Sequence, residues 1–568
     1  MQNASTMDSV IAIGHTAILA LDELHDDELE VNHSSTLTSS PKKLPMSMTR
    51  TASINSRRLD INQSSDRTLK SLSFRGSARL RGMRLGLLLR SLGSVLSSSQ
   101  GDAKTYSLSE PVEQVHAFIS HNWTVSRLDK FLALSLHFNL HLGLVCMVCI
   151  VVTVLVIFLL GLNPSVHFCL AWKLKEENQS MTCVSSYILV FPVVFLGREL
   201  SRIFGIDRTF IFLDKTCIDQ QSEASKQNGI ESLGAFIQQS ESMIIPCTRA
   251  YFERLWTIYE IATFLALHPR HKLIILPTAM ARCTLIQAAG WYTYFFLQVL
   301  ETICHSKEDH WRFEFWGKML AHAILIPFSC MMVSQSRSWI VEMSQMQERI
   351  QNFSIAKAAC SVEADRTFVS ENIIAFSRDM RLVPRSASDE AACEAFEAFV
   401  REEVPGAVEK CCGHWGLPYR YLVFMFAPLT MIGFDHLFIP SGPDWGFCVV
   451  CLSMNFLSMP LLFALSLLII RTSVDQRGAE KSHCAAVVFT TLVVGSAGYG
   501  QYVGMALLRI EVAEGSIPAI IAFSASILAQ GMICWRLFKP PPMVPNERVW
   551  SCLNAKLADS PIKRDDRV

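Results

Sequence analysis

The sequence predicts a multi-pass α-helical membrane protein that carries a cytosolic α/β domain built on a parallel sheet. Three observations predict it. Half of the 568 residues are hydrophobic, only 18% are charged, and mean hydropathy is +0.28, a balance of membrane proteins rather than soluble enzymes. The apolar residues gather into runs long enough to cross a bilayer. Between these runs, Thr209 to Phe264 alternates short β-type apolar runs, polar loops and helical periodicities, the grammar of a parallel α/β sheet.

Residues 1–110 are Ser-rich, with few large apolar residues before Leu72 apart from one short run, and read as mostly disordered. That run, Val10–Leu21, lacks a basic flank and leads into Asp22, Glu23, Asp26 and Asp27, which makes a poor signal peptide. In 70–98, Arg75, Arg79, Arg81, Arg84 and Arg90 interleave with leucines. Two readings stay open for this segment: an amphipathic helix on an anionic membrane surface, or a solvated basic linker.

The α/β domain is expected over 111–280, interrupted by a membrane hairpin at about 140–197. Val115-His-Ala-Phe-Ile-Ser-His-Asn-Trp123 supplies a first strand that ends in Ser120 and His121. The uncharged run Leu140–Leu162 and the shorter Val184–Gly197, joined by a polar turn with Lys173, Lys175, Glu176 and Glu177, form the hairpin. Phe210–Leu213 is the second strand and ends in Asp214–Lys215, read as a local ion pair. A polar loop shaped by Asp219 runs to Gly229, after which Ile230, Leu233 and Phe236–Ile237 recur at helical spacing. Met243–Ile245 is a third strand stopped by Pro246, an amphipathic helix runs from Tyr251 to about Leu267, and His271–Pro277 is a further strand. Ligands of such sheets sit beyond the carboxyl ends of the strands, which draws Ser120, His121, Asp214 and Lys215 toward one candidate site.

Ala117-Phe-Ile-Ser-His-Asn-Trp123, Leu213-Asp-Lys-Thr-Cys-Ile-Asp219, Gly229-Ile230, Thr248-x-x-Tyr251 and Leu255-Trp256-x-x-x-Glu260, in that order, resemble the Toll/interleukin-receptor (TIR) family. The resemblance covers roughly 115–123 and 205–280, under a third of the chain. It implies a flavodoxin-like parallel sheet, a pocket shaped by the loop after the second strand, and, as in the enzymatic members, cleavage of NAD by the glutamate of the Trp-x-x-x-Glu helix. Thr257 stands where the family often has Cys, Thr248 where it usually has Ser, and about 85 residues separate the first two strands.

The resemblance makes Glu260 the candidate catalytic residue. It lies four residues after Trp256, so both project from one helix face. Tyr259, Ile261 and Phe264 nearby would desolvate it and raise its pKa. A carboxylate there would stabilise an oxocarbenium-like transition state, with Ser120, His121, Asp214, Lys215 and Trp256 as the cofactor-binding set and NAD as substrate rather than resident cofactor. The bland alternatives are a glutamate that braces a non-catalytic pocket and a histidine hydrogen-bonded at a strand end.

Beyond residue 280, 281–336 reads as a membrane hairpin (about Thr284–Ile303 and Lys318–Val333), 337–420 as a cytosolic segment, and 421–538 as a four-helix membrane region (Tyr421–Ile439, Phe447–Ile470, Cys484–Leu507, Ile517–Leu537). Pro540-Pro-Pro542 ends the last helix and 539–568 is a cytosolic tail. Of the 51 Lys and Arg, only Lys173, Lys175, Lys307, Arg312 and Arg509 fall in outer turns, which orients both termini and the α/β domain to the cytosol. The Asn178-Gln-Ser180 sequon is outside.

Membrane lipid is thus the expected partner, with self-association through the TIR-like domain as a second. Zero net charge gives no electrostatic case for nucleic acid. Cys146-x-x-Cys149 and Cys448-x-x-Cys451 lie inside spans without a second ligand pair, so no metal site is expected. A phosphate loop of the G-x-x-x-x-G-K-[ST] type is absent from the sequence. Gly495, Gly498, Gly500 and Gly504 read as a helix-packing face, and the intramembrane charges Glu301 and Asp435 with His436 sit near outer ends. The function expected is membrane-tethered signalling through the α/β domain, by NAD cleavage. The alternatives are non-enzymatic assembly, or a channel or transporter that this domain regulates.

Overall fold

The computed structural model describes residues 73–76, 78–160, 181–268, 272–304, 310–360, 363–412, 418–438, 444–475 and 483–539. The Val10–Leu21 run, the outer turn with Asn178 and the Pro540–Pro542 stop lie outside them. The described chain is mostly helical, around one mixed sheet of six strands: β1 (Arg81–Arg84), β2 (Ser109–Pro111), β3 (Val115–Ile119), β4 (Phe210–Phe212), β5 (Ser240–Cys247) and β6 (Lys272–Pro277). Their order is β2-β1-β4-β3-β5-β6.

β4, β3, β5 and β6 are mutually parallel. Counted along the chain they stand second–first–third–fourth, the order of a doubly wound sheet. β3 is buried at every position but His116, and β5 at every position but Glu241, because helices cover both faces. Phe118 stacks on Phe212 at 4.6 Å, and Phe236 packs against Phe212 at a tilt, 4.5 Å away. β5 runs through Pro246 instead of stopping there. Its pairing with β3 ends at Ile244, while Pro246 pairs onward with β6, so proline sits where one neighbouring strand has run out.

Of the segment 70–98, the residues 78–98 are neither a surface helix nor a linker. β1 pairs antiparallel with β4 and β2, and Met83, Leu85, Leu88, Leu89, Val95 and Leu96 are buried. Their burial in the sheet's core outweighs the basic residues between them. The α/β unit therefore begins near Arg81, ahead of residue 111.

The connection from β3 to β4 is α1 (Arg127–Leu159) and α2 (Met181–Ile203). α1 has two halves. Phe131, Ala133, Leu134 and Leu136 are buried, whereas Val145, Val148, Val152, Val156 and Leu159 form an exposed apolar stripe. The helix thus starts as the crossover layer of the sheet and leaves it as an apolar rod. After β4, a helical turn Asp214–Cys217 and a helix Glu223–Glu231, capped by the Ser222 hydroxyl accepting from Ser225 N–H, replace much of the expected loop to Gly229.

α3 (Leu255–Leu267) joins β5 to β6. α4 (Thr278–Cys304) and α5 (His310–Gln351) follow, then α6 (Glu363–Asp379) and α7 (Asp389–Cys412). The described part of 337–420 is not a separate body. Ala359 N–H donates to Glu253 O at 2.8 Å, Leu255 N–H donates to Ala359 O at 3.1 Å, and Arg349 pairs with Glu253, so it wraps the start of α3.

The region 421–439 is no single span but two short helices, α8 (Tyr419–Met425) and α9 (Ala427–Asp435), broken at Phe426, with Pro428 early in the second. α10 (Trp445–Ser453) passes through a π-turn, Met454–Ser458, into α11 (Met459–Asp475). There Asn455 donates to Thr430 Oγ1 at 2.6 Å and Ser458 to Gln530 Oε1 at 2.6 Å. α12 (His483–Ala513) and α13 (Ile517–Phe538) end the described chain. Among the described residues three helices are long and apolar enough to cross a membrane: Arg127–Ile157, Trp445–Thr472 and Ile517–Phe538. Of the glycines in α12, only Gly498 approaches a neighbour, Leu462. Gly495, Gly500 and Gly504 face open space, so they are not the packing face the sequence implied.

Candidate functional site

The chain leaves β3 and β5 toward opposite neighbours, β4 and β6, so their carboxyl ends frame the crevice where doubly wound sheets hold ligands. Ser120 follows β3 directly, and its N–H donates to Ile244 O at 3.0 Å. Tyr251 lies in the 3₁₀ turn Arg249–Glu253 after β5. Glu260 projects from α3, whose start is fixed by Thr257: its hydroxyl donates to the carbonyls of Tyr251 and Arg254.

These elements bring three side chains into line. Tyr251 OH lies 2.5 Å from Ser120 Oγ, and Ser120 Oγ donates to Glu260 Oε2. Ser120 and Tyr251 are buried and Glu260 is partly buried. Burial pushes the Glu260 carboxyl up to about 8, and the Asp214 carboxylate adds to the rise while the Ser120 hydrogen bond opposes it. Burial also holds the Tyr251 phenol well above its ordinary value. The consistent arrangement is tyrosine donating to serine and serine to glutamate.

A second group sits beside the first. Asp214 ends β4 and accepts from Trp123 Nε1 at 3.0 Å and from Lys215 N at 2.7 Å. His121 packs edge-on against Trp123 at 4.3 Å, and burial drives its imidazole down to about 4 despite the nearby Asp214 carboxylate. Its Nε2 is buried without a hydrogen-bond partner, as is Nζ of fully buried Lys130, which lies 4.8 Å from the Trp123 ring centroid. Asn122 pins the two strand-end loops together, donating to Ala250 O at 3.1 Å and accepting from Thr124 N at 3.0 Å.

The structure thus brings Ser120 and Glu260 into contact and sets His121 and Asp214 alongside. It separates two expected members. Lys215 does not pair with Asp214: its ammonium reaches Val95 O at 3.4 Å and Ser98 Oγ at 3.2 Å, because the helical turn Asp214–Cys217 carries it toward the β1 side. Trp256 packs against Phe368 of α6 at 6.0 Å and Tyr259 at 6.3 Å, and so forms the contact between α3 and the later segment. Sequence reasoning gave no role to Tyr251, Trp123 or Lys130, although Tyr251 and Trp123 stand in the motifs it used. Among the described residues no cluster of His, Cys, Asp and Glu is arranged to hold a metal ion.

No known protein family, curated protein or solved structure matches this chain. Its reading rests on its own geometry: a carboxyl of raised pKa, at a sheet's ligand crevice, held by a hydroxyl relay.

Proposed function

We propose that this protein is a multi-pass membrane protein, with its termini and α/β domain in the cytosol, that signals by cleaving NAD at the nicotinamide–ribose bond. The observation that carries the reading is the Tyr251–Ser120–Glu260 relay at the crevice between β3 and β5. Nicotinamide leaves NAD as a neutral base, since its ring nitrogen already carries the positive charge. The C1′–N bond breaks with its electron pair going to the ring, and no proton donor is needed. What the reaction requires is negative charge beside the developing oxocarbenium ion, which one carboxylate supplies best in a partly desolvated site. Water then adds to C1′ and loses a proton. Ser120 fixes the Glu260 oxygens, and Tyr251 fixes Ser120. The three apolar helices and the exposed stripe on α1 support the membrane part.

The deciding experiment is NAD turnover by the purified full-length protein in lipid, beside Glu260→Gln. Loss of turnover by about 100-fold or more in the variant is the expected result. Equal turnover in both proteins, or none in either when both are folded and concentrated, would sink the reading and leave assembly through the domain. Because Glu260 acts ionised and titrates at about 8, kcat/KM should climb with pH and level off above that value. A profile flat from pH 6 to 9 would exclude Glu260 as the charged group.

A further inference from the structure

The exposed apolar face of α2 continues past the end of the helix. Ile188, Leu189, Leu196, Leu200 and Ile203 lie along one side, with exposed Pro192 between them, and the turn beyond adds Phe204 and Ile206. Ile203, Phe204 and Ile206 are 61%, 74% and 71% exposed. The turn itself is built firmly. Gly205 takes a left-handed conformation at φ 71°, and the N–H groups of Ile206 and Asp207 both donate to Ser201 O, at 2.8 and 3.1 Å. Three large apolar side chains held in the open on a fixed turn form a surface that something covers.

Charge identifies the cover. Arg208, exposed, and Arg202, half-buried, flank the turn, and Arg198, also half-buried, lies one helical turn before it. Of the nearby carboxylates, Asp207 is buried, accepts from Gly86 N at 2.7 Å and acts on Arg198, which leaves Glu199 beside Arg202 and Arg208. The turn also precedes the amino end of β4, the edge of the sheet opposite Ser120 and Glu260. An apolar stripe that ends in an apolar turn flanked by arginine fits the boundary between acyl chains and anionic headgroups. We propose that Ile203–Ile206 inserts into the headgroup zone of an anionic leaflet, with Arg202 and Arg208 on lipid phosphates and carboxylates. The NAD-side crevice then faces away from the bilayer. This proposal rests on the membrane-spanning reading.

The test is Phe204→Trp in full-length protein in nanodiscs, read as the emission added over the native tryptophans. Lipids brominated near the headgroup should quench it. Brominated phosphatidylserine should quench about twofold more than brominated phosphatidylcholine at equal mole fraction, and Arg202→Gln with Arg208→Gln should abolish that preference. Emission quenched by aqueous acrylamide and untouched by either brominated lipid would overturn the proposal. Equal quenching by both lipids, indifferent to the arginines, would overturn its anionic part. Val152→Trp on the exposed face of α1, read with deeply brominated lipid, reports the spanning reading by itself, so failure there is told apart from failure at the turn.

Discussion

In an unfolded chain the Glu260 carboxyl ionises near the ordinary glutamate value, whereas in the fold it is held up to about 8. The folded state therefore favours the protonated form. The stability this contributes is fully present below the unfolded value and is lost as pH rises through the folded one. Glu260→Gln, neutral and of the same shape, should remove that slope. Its Tm, compared with wild type, should gain steadily between pH 5 and 8.5, and parallel curves would show that the carboxyl is not strained. Lys130 makes a related case. A fully buried ammonium without a hydrogen bond costs stability that the Trp123 ring returns only in part. Lys130→Met should raise stability by about 1–3 kcal/mol in a urea titration, and a destabilised variant would mean that the field of Asp214 and the ring outweighs desolvation. Ser120 was singled out in the sequence by its place at a strand end and Glu260 by the family resemblance, and the structure puts the two in contact. Tyr251 was not legible as their partner. Its contact with Ser120 needs β3 beside β5, and neighbour order within a sheet leaves no local mark.

The elements were legible where the periodicity was strong. The four parallel strands and α3 read directly from apolar runs and helical spacing, since strands buried on both faces must be continuously apolar. β1 was missed because its residues alternate arginine with small and apolar side chains, and because it joins the parallel strands antiparallel, between β2 and β4. The helical turn after it, Leu85–Leu88, presses on α2: a Cβ at Gly86 would come within 2.6 Å of Arg198 O and 2.7 Å of Arg202 Cβ. Backbone cannot yield as a side chain tip can, so Gly86→Val should cost about 2–3 kcal/mol and expose 81–98 to limited proteolysis. Gly205→Ala is the contrasting change. It meets nothing within 4 Å but must hold φ 71°, so its cost should be nearer 1 kcal/mol with no new proteolytic site. If both variants behave alike, close packing of β1's turn on α2 is not what ties this segment down.

At the scale of the whole molecule, the unusual feature is that one helix belongs to two environments. α1 supplies the crossover layer with Phe131, Leu134 and Leu136, then turns a stripe of valines outward while Met147, Ile150 and Val154 stay buried. The join lies where α1 meets α2: Ser135 Oγ and Asn139 Nδ2 both donate to Val194 O, at 2.6 and 2.8 Å, and a Cβ on Gly143 would lie 2.9 Å from Val194 Cγ2. Sequence pattern located the apolar half of the hairpin but began it at residue 140, because a span shows itself by its uncharged run and a crossover layer does not. The two halves should therefore separate. Deleting 145–192 from the full chain and closing the gap with a short Gly-containing turn removes the rod but keeps Phe131–Asn139 and the Val194 contact. On the proposed membrane reading the shortened protein should remain anchored through Trp445–Thr472 and Ile517–Phe538, and amide exchange of β3, β4 and β5 should stay within about tenfold of wild type. Deleting 128–202 instead strips one face of the sheet and should make those strands exchange as an unfolded chain does. Equal loss of protection in both deletions would mean that the apolar rod itself, rather than the first turns of α1, holds the α/β unit together.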